Sequence, residues 1–352
     1  MILPTIDQVE VTGKRVFVRG DIDVPLDPSA PLGISDDRRL RDILPTIEFL
    51  LKQNCTVLLA GHLGRPGGKE DPALSSKPVA EWFATRLRQG SGEARGVCLK
   101  GNICGFAVGK DVVVLENLRF DPREEANDEG FAKELASLAD IYVDEAFGTC
   151  YENHVSIAGV PKFLPHFAGL RLAKEVEVLS GVLEKPKRPL LVIVGGAKVD
   201  TKIPVIAKMQ AFADKVLLGG KIVTEVFSYA REQGVELDRN KVLAFPLTAD
   251  FKDIFPQAIY DAREDFWRAG TIVWNGPFGR VEEEQWQAGT EKVIDLILQN
   301  KTAYKVVGGG DTIGFLDKLG LIDKFDWVSS GGGSMLKFLA GEKLPGIEVL
   351  VS

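Results

Sequence analysis

The sequence predicts an α/β fold with two domains, and three observations lead to this prediction. The chain has 352 residues, which is more than one ordinary hydrophobic core organises. In the first half, short apolar runs alternate with helical patterns, as in a parallel sheet covered on both faces. In the second half, each predicted strand runs into a glycine-containing turn. We therefore expect two sheet-containing domains with a helical connection between them.

The composition indicates a globular protein that binds neither membranes nor nucleic acid. Hydrophobic residues make up 45% and charged residues 26% of the chain, as in ordinary globular domains. No apolar run approaches the roughly 18 residues that suggest a membrane span. Residues 1–4 lack the start of a signal peptide, so we expect a cytoplasmic protein. The formal net charge of −7 argues against non-specific binding to nucleic acid.

The cysteines and histidines predict no metal site built from Cys and His side chains. Cys55, Cys98, Cys104 and Cys150 show no Cys-x-x-Cys spacing, and the three histidines are scattered. We therefore expect reduced, buried thiols.

In the first half, basic side chains follow the predicted strands 15–19, 56–60 and 112–115, and a fourth strand is predicted at 141–143. In parallel sheets, ligands bind beyond the carboxyl ends of the strands. Taken singly, each arginine is better explained as a solvated surface residue and His62 as a structural hydrogen-bonding residue. Together they indicate an anion pocket, because arginine suits bidentate recognition of carboxylate or phosphate. The candidates are Arg19, Arg39, His62, Arg65 and Arg119.

Between the halves, apolar residues recur at helical spacing from Leu172 to Leu183, and residues 185–189 contain two prolines that end the pattern. We interpret this helix as the connection between the domains.

In the second half, the predicted strands are 190–194, 216–218, 271–274, 304–307 and 327–330, and all of them precede glycine turns or an Asn-Gly-Pro turn. A glycine at a single strand end indicates only a tight turn. Glycine-containing turns at all five strand ends indicate that the backbone leaves room for a flat or phosphate-bearing ligand. Lys198 and Lys202 are four residues apart and share one face of a helix that starts there. Lysine is a compact charge suited to a moving phosphoryl group.

The clearest of these turns is residues 308–310, where three glycines follow a buried strand. Asp311 or Thr312 is then expected to cap a helix. A glycine turn that enters a helix N-terminus forms an anion site, and the Asp311 carboxylate beside phosphates suggests Mg²⁺. The alternative is a tight turn without a ligand. Neither a P-loop motif nor a Gly-x-Gly-x-x-Gly fingerprint occurs at a strand end.

These motifs resemble, in order and along nearly the whole chain, those of the phosphoglycerate kinase family. The matching stretches are residues 62–66, 115–120, 146–149, 195–199, 274–277, 308–312, 331–333 and 344–346. The resemblance implies two Rossmann-like, doubly wound parallel-sheet domains joined by a helix and a hinge, in a monomer. The implied phosphoglycerate-binding domain is 1–168 with a returning segment 338–352, the linker is 169–186, and the nucleotide-binding domain is 187–337.

The resemblance also implies the reaction, which is transfer of a phosphoryl group between 1,3-bisphosphoglycerate and MgADP to give 3-phosphoglycerate and MgATP. The positions implied for phosphoglycerate are Asp21, Asp23, Arg39, His62, Arg65 and Arg119. Those implied for ADP or ATP are Gly196, Ala197, Lys202, Gly219, Gly220, Asn275, Pro277, Glu282, Gly308, Gly309, Gly310, Asp311 and Thr312. Asp311 would hold Mg²⁺ through the phosphates. The positions implied for catalysis are Arg39, Lys198, Lys202, Gly309 and Gly310.

The chain departs from the family at several positions. Asp23 stands where the family has Asn, and Glu152 replaces an arginine that helps to bind phosphoglycerate. Two alternatives therefore stay open: a nucleotide-binding relative with weakened or lost turnover, and a kinase of a different carboxylate. The lysines at 198 and 202 favour retained chemistry, because a pure binder needs neither. We predict that Glu152 either turns to solvent or pairs with a nearby basic residue, since a free carboxylate would repel a substrate phosphate.

Overall fold

The computed structural model describes residues 1–27, 29–87, 94–197 and 199–351, apart from the side chains of residues 199–201. The chain divides into two compact units. Unit 1 comprises Met1–Glu177 and Lys343–Ser352, and unit 2 comprises Val178–Glu342. The functional limits at residues 168, 186 and 337 stay a prediction.

Unit 1 contains a seven-stranded sheet in the order β3-β4-β5-β2-β1-β6-β7. Its strands are β1 Arg15–Arg19, β2 Thr56–Ala60, β3 Arg95–Cys98, β4 Cys104–Val108, β5 Val112–Leu115, β6 Ile141–Asp144 and β7 His166–Ala168. The sheet is parallel except at β4, which pairs antiparallel with both β3 and β5. The expectation of a parallel sheet is therefore wrong at this edge. The connections there, residues 99–103 and 109–111, have the length of hairpin loops and are too short for a crossover.

A disulfide bond joins Cys98 of β3 to Cys104 of β4. The two residues are directly opposite each other in the antiparallel register, with their Cα atoms 4.0 Å apart. The prediction of four reduced thiols was wrong for this pair, because strand pairing and not local spacing brings the sulfurs together. Cys55 and Cys150 are free and buried.

Helices cover the unit 1 sheet. They are α1 Arg38–Lys52, α2 Lys77–Arg86, α3 Pro122–Glu125, α4 Glu129–Ala136, and, after the return of the chain, α13 Pro345–Glu348. The predicted apolar face of α1 is buried at Leu40, Ile43 and Ile47. The backbone N–H of Gly346 in α13 donates to the carbonyl of Cys150 over 2.9 Å, which attaches the returning segment to unit 1.

The connecting helix is α5, Leu170–Glu184, which starts in unit 1 and ends in unit 2. Its N-terminus is held by the buried carboxylate of Glu145, just after β6. This carboxylate accepts hydrogen bonds from the backbone N–H groups of Arg171 (3.2 Å) and Leu172 (2.8 Å) and from the Thr46 hydroxyl. A carboxylate at a helix N-terminus accepts from N–H groups that would otherwise be unpaired, and its negative charge interacts favourably with the helix dipole.

Unit 2 contains a six-stranded, entirely parallel sheet in the order β10-β9-β8-β11-β12-β13. Its strands are β8 Leu190–Val194, β9 Lys215–Leu218, β10 Val242–Ala244, β11 Thr271–Asn275, β12 Tyr304–Gly308 and β13 Trp327–Val328. The chain reverses direction across the sheet between β8 and β11, which is the position where doubly wound sheets bind ligands. The sequence reading missed β10, a three-residue strand without a following glycine.

Helices also cover the unit 2 sheet, so both units have the predicted doubly wound α/β architecture. They are α6 Val199–Phe212, α7 Val226–Glu232, α8 Pro256–Asp261, α9 Arg263–Arg268, α10 Ala288–Gln299, α11 Gly310–Lys318 and α12 Gly332–Leu339. A core that includes Ile193, Ile272 and Trp274 fills the space between strands and helices. None of the helices in the described parts of the chain combines the length and apolarity that crossing a membrane requires.

Candidate active site

The predicted phosphoglycerate residues of unit 1 gather at one edge of its sheet. Asp21 and Asp23 follow β1, His62 and Arg65 follow β2, and Arg119 follows β5. These three strands are neighbours and parallel, so their carboxyl ends meet at the same edge. Arg39 reaches the group from the first turn of α1, as its contact with Asp21 shows.

Arg39 and Asp21 form the ion pair at the centre of this edge. Arg39 Nη1 lies 2.9 Å from Asp21 Oδ1 and 4.0 Å from Asp23 Oδ2. The Asp21 carboxylate raises the pKa of Arg39, which therefore stays charged. The second oxygen of Asp21, Oδ2, is buried, and no group in the described residues donates a hydrogen bond to it. Asp23 has a supporting contact, because its Oδ1 accepts from the Gly64 N–H at 2.9 Å.

Arg19 is a support for the site and does not line it, contrary to the sequence prediction. Its side chain is completely buried and donates to Ser156 Oγ at 2.9 Å and to the carbonyl of Gly20. Its Nη2 lies 2.9 Å from His62 Nδ1. Guanidinium only donates, so His62 Nδ1 accepts and its ring proton sits on Nε2. Burial first, and then the positive charge of Arg19, holds the pKa of His62 well below its ordinary value, so His62 is a neutral donor.

Arg119 is buried and already paired, whereas Arg65 is exposed. Arg119 Nη1 donates to the Gly64 carbonyl at 2.9 Å, and its Nη2 donates to Glu152 Oε2 at 2.6 Å. Its Nε lies 3.2 Å from Glu125 Oε1. Arg119 is thus surrounded by acceptors from this chain.

Glu152 pairs with basic residues, which is one of the two outcomes predicted from the sequence. Its Oε2 contacts Arg119, as above, and lies 2.9 Å from His154 Nδ1. Partial burial raises the pKa of Glu152, but the interactions with His154 and the charge of Arg119 outweigh it and lower this pKa to about 2. Glu152 is therefore a carboxylate at any physiological pH.

Two supporting residues beneath this edge carried no sequence signal. Glu124 is fully buried and accepts hydrogen bonds from the N–H (3.0 Å) and the hydroxyl of Ser156. Ser156 in turn accepts from Arg19. Glu124 and Ser156 are 32 positions apart, so only the tertiary structure relates them.

In unit 2, the glycine turns after β8 and β11 meet at the place where the chain reverses direction across the sheet. A Cβ atom at Gly276 would lie 3.1 Å from the Lys202 ammonium, and one at Gly196 would lie 2.7 Å from it. Lys202, from α6, donates a hydrogen bond to the Gly195 carbonyl. The predicted catalytic Lys202 therefore lies between the two turns. Lys198 falls outside the described residues.

The turn after β9 packs against the turn after β8. Gly220 has a left-handed backbone with φ of +71°, and a Cβ there would lie 2.7 Å from the Gly196 nitrogen. The Ile222 N–H donates to the Gly196 carbonyl at 3.1 Å. The predicted residues Gly196, Gly219 and Gly220 thus form one backbone surface at the carboxyl edge of the sheet.

The turn between β12 and α11 differs from the predicted cap. Gly309, with φ of +98°, is the N-cap, and α11 starts at Gly310. Asp311 and Thr312 therefore lie in the first turn, because the left-handed conformation at the strand end requires glycine and not aspartate or threonine. Asp311 is exposed, whereas the buried Thr312 hydroxyl accepts from the Gly276 N–H at 3.0 Å.

The remaining predicted residues lie around these turns. Asn275, at the end of β11, donates from Nδ2 to the Gly332 carbonyl at 3.0 Å and joins two strand ends. Pro277 is buried beside it. Ala197 and Glu282 are exposed, Ala197 after β8 and Glu282 farther along the loop that follows β11.

The carboxylate of Asp311 fits a metal ion that is held mainly by the phosphates of a bound nucleotide. Among the described residues, no group of three or more His, Cys, Asp or Glu side chains could hold a metal ion. One exposed carboxylate, Asp311, lies in the first turn of α11 beside the glycine turn. Mg²⁺ is commonly held by one or two carboxylates together with substrate phosphates and water, so this donor set fits Mg²⁺ carried by a nucleotide.

A separate cavity of about 920 Å³ in unit 2 is lined in part by Phe227, Arg231, Arg239 and Lys241. Lys241 directly precedes β10, so this cavity lies at the amino edge of the sheet. Ligands of doubly wound sheets bind at the opposite edge, and none of the predicted nucleotide residues lines this cavity.

Comparisons with known proteins agree with the resemblance in the motifs. The family model described as phosphoglycerate kinase matches residues 6–244 and 236–342. The phosphoglycerate kinase of Dictyoglomus turgidum is 38% identical, with 97% of this chain and 96% of the relative covered. That of Anaeromyxobacter dehalogenans is 38% identical, with 99% of each chain covered.

Solved structures show the same likeness. The phosphoglycerate kinase of Coxiella burnetii is 31% identical, covers 99% of both chains and superposes with a TM-score of 0.79. That of Pyrococcus horikoshii has a TM-score of 0.80 at 24% identity, which supports the fold. These matches lend no support to a non-enzymatic binder or a kinase of another carboxylate. The chain belongs to the phosphoglycerate kinase family.

Proposed function

We propose that this chain transfers a phosphoryl group between 1,3-bisphosphoglycerate and MgADP, giving 3-phosphoglycerate and MgATP. The observation that carries the proposal is the unpaired oxygen of Asp21. A buried carboxylate oxygen without a donor is costly, and a substrate hydroxyl would satisfy it. The adjacent Arg39 cation and the His62 ring offer donors for a substrate that is both hydroxylated and anionic.

In the proposed phosphoglycerate half-site, Asp21 accepts from the substrate hydroxyl, and the cations bind its negative groups. The proposed cations are Arg39, Arg65 and Arg119, and His62 adds a neutral donor. Asp23 holds the Gly64 turn that carries Arg65, as its 2.9 Å contact with the Gly64 N–H indicates. Arg39 is 40% exposed, which leaves its guanidinium accessible to a ligand.

In the proposed nucleotide half-site, the glycine turns accept the flat and phosphate-bearing parts of ADP or ATP. Gly196, Ala197, Gly219, Gly220, Asn275, Pro277 and Glu282 surround the nucleoside. The turn 308–312 and the N-terminus of α11 bind the phosphates, because free N–H groups and the helix dipole favour anions. The position of Lys202 between the turns after β8 and β11 supports its role at the transferred group.

The chemistry explains why no general base is needed. In the direction that consumes ATP, a carboxylate oxygen of 3-phosphoglycerate attacks the γ-phosphorus and ADP leaves. The carboxylate is already ionised near neutral pH. The chain therefore has to position the reactants and stabilise negative charge on the transferred group. Arg39, Lys198, Lys202 and the N–H groups of Gly309 and Gly310 are the proposed stabilising groups.

We further propose that Asp311 holds Mg²⁺ together with the nucleotide phosphates. When bound, the ion would neutralise part of the charge on the phosphate oxygens. We also propose that the protein acts as a monomer in the cytoplasm, as the family resemblance implies. Size-exclusion chromatography with light scattering tests the monomer directly.

The deciding experiment is an assay with 3-phosphoglycerate and MgATP in which the acyl phosphate is trapped by hydroxylamine. We expect a hydroxamate whose formation needs both substrates. Glycerate, which lacks the phosphate, and 2-phosphoglycerate, in which the phosphate is moved, serve as controls and should give little product. A higher rate with either control, or no product with 3-phosphoglycerate, would overturn the proposal.

A further inference from the structure

Arg119, a proposed phosphate ligand, is already in contact with groups of this chain. Its side chain is only 6% exposed. Its Nη1 donates to the Gly64 carbonyl, its Nη2 to Glu152 and its Nε faces Glu125. Of these contacts, the one to Glu152 is the shortest, at 2.6 Å, and carries full opposite charge.

Glu152 takes one of the two N–H groups of Arg119 Nη2, so a substrate phosphate on the same nitrogen would lie directly beside the carboxylate. Both groups are anions, and they would repel each other at contact distance. The phosphate must therefore displace the carboxylate before it gains the guanidinium.

Displacement is feasible because Glu152 has a second basic partner. The same oxygen, Oε2, that contacts Arg119 lies 2.9 Å from His154 Nδ1. His154 Nδ1 is buried and makes no hydrogen bond among the described residues, so a carboxylate that leaves Arg119 can turn to the imidazole and is not left buried without a partner. Glu125 differs, because its side chain is 45% exposed and it faces Nε, at 3.2 Å.

We propose that Glu152 is an internal competitor of the substrate, an anion that holds Arg119 Nη2 and yields it to the phosphate of phosphoglycerate. Glu152 thereby sets the affinity for phosphoglycerate without touching the reacting atoms. His154 determines how readily Glu152 yields. This inference rests on the proposed function, since it concerns the substrate of that same site.

The test compares steady-state kinetics and calorimetric binding of 3-phosphoglycerate for the full-length protein and two variants. In Glu152→Gln, the competing charge is lost, and we expect KM and Kd for 3-phosphoglycerate to fall by about tenfold. In His154→Gln, the second partner is weakened, so Glu152 stays on Arg119 and KM should rise. KM for MgATP should stay constant in both variants. A merely structural role of the loop would shift the two variants in the same direction.

Matched variants localise the effect. Glu125→Gln removes the other carboxylate beside Arg119 and should change KM for 3-phosphoglycerate by less than about twofold, because that carboxylate is exposed and screened. In an Arg119→Gln background, Glu152→Gln should no longer lower KM, since nothing remains to be released.

An unchanged or higher KM in Glu152→Gln, or a decrease that persists without Arg119, would overturn the inference while the wild type still turns over. If neither the wild type nor any variant bound or phosphorylated 3-phosphoglycerate, the proposed function would fail, and this inference with it.

Discussion

At the scale of single residues, the partners of each charged group decide which groups a ligand can reach. The strand-end pattern predicted both Arg19 and Arg39 as residues of an anion pocket, but Arg19 is fully buried against His62 and Ser156. Arg39 is 40% exposed beside an unsatisfied carboxylate oxygen. In unit 2, the position of Lys202 is likewise set by its neighbours, because its ammonium lies between the turns after β8 and β11.

We predict that Lys202→Met lowers kcat by about 100- to 1,000-fold, the usual effect of removing one group that stabilises transition-state charge. KM for 3-phosphoglycerate should change little, because the proposed binding site for that substrate lies in unit 1. The control is Lys208→Met on the same helix, where the lysine is 50% exposed and faces Glu342 at 3.8 Å. Steady-state kinetics measure both variants, and equal losses would contradict the assigned role.

At the scale of elements, the junctions of strands with helices carry the strictest requirements. The turns after β8 and β9 are in backbone contact at Gly196 and Gly220. The N-terminus of α5 depends on the buried Glu145, which comes from the end of β6. Each junction yields a test.

Gly220→Ala should destabilise unit 2 and raise KM for the nucleotide. Alanine strains the left-handed backbone, at a cost of about 1–3 kcal/mol, and its Cβ would lie 2.7 Å from the Gly196 nitrogen. Gly234→Ala is the matched control, because Gly234 has a similar φ of +68° and no neighbour within 4 Å of a Cβ. Both should lower Tm, but only Gly220→Ala should weaken MgADP binding in calorimetry. Equal nucleotide affinities would rule out the packing argument.

The stability of unit 1 should fall as pH rises towards neutrality. Burial raises the pKa of Glu145 to about 7, and that of Asp144 to about 6. In the unfolded chain both titrate near pH 4, at about 3.9–4.3. The folded state therefore holds these protons more tightly. Their stabilising contribution is complete below the unfolded pKa and is lost as pH rises through the folded pKa.

Glu145→Gln should accordingly reduce the decrease of Tm between pH 5 and pH 7.5, since glutamine cannot ionise. The slope is the readout, because the substitution also removes one acceptor at the N-terminus of α5. Glu48→Gln on the exposed face of α1 is the control and should leave the slope as in wild type. An identical slope in Glu145→Gln would show that Glu145 does not titrate in this range.

At the scale of the whole molecule, the residues proposed to bind phosphoglycerate belong to unit 1, and those proposed to bind the nucleotide belong to unit 2. In-line transfer needs the reacting atoms about 3–3.5 Å apart, so the two bound substrates have to come together. We predict that 3-phosphoglycerate and MgADP together reduce the radius of gyration in small-angle scattering more than either alone. The same radius with both sites occupied would exclude closure as a step of the reaction.

The sequence by itself determined the α/β class, the order of most strands, turns and helices, and the resemblance to the family. These features are local, because hydrophobic periodicity and the residues at strand ends are read within a few positions. The strand-end pattern by itself picked out candidates such as Arg39, Lys202 and Asp311, whereas the resemblance to the family implied others, such as Asp21 and Glu282; their roles stay a prediction.

The tertiary structure alone decided which of these residues have partners. The contacts of Glu152 with Arg119, of Arg19 with His62, and of Cys98 with Cys104 follow from strand order and register. The first two pairs join residues that are distant in the sequence, and the cysteine pair depends on the antiparallel register of a hairpin, which no motif in the sequence indicates. Burial and charge pairing, which are properties of the packed chain, therefore determine which of the predicted residues a ligand can reach.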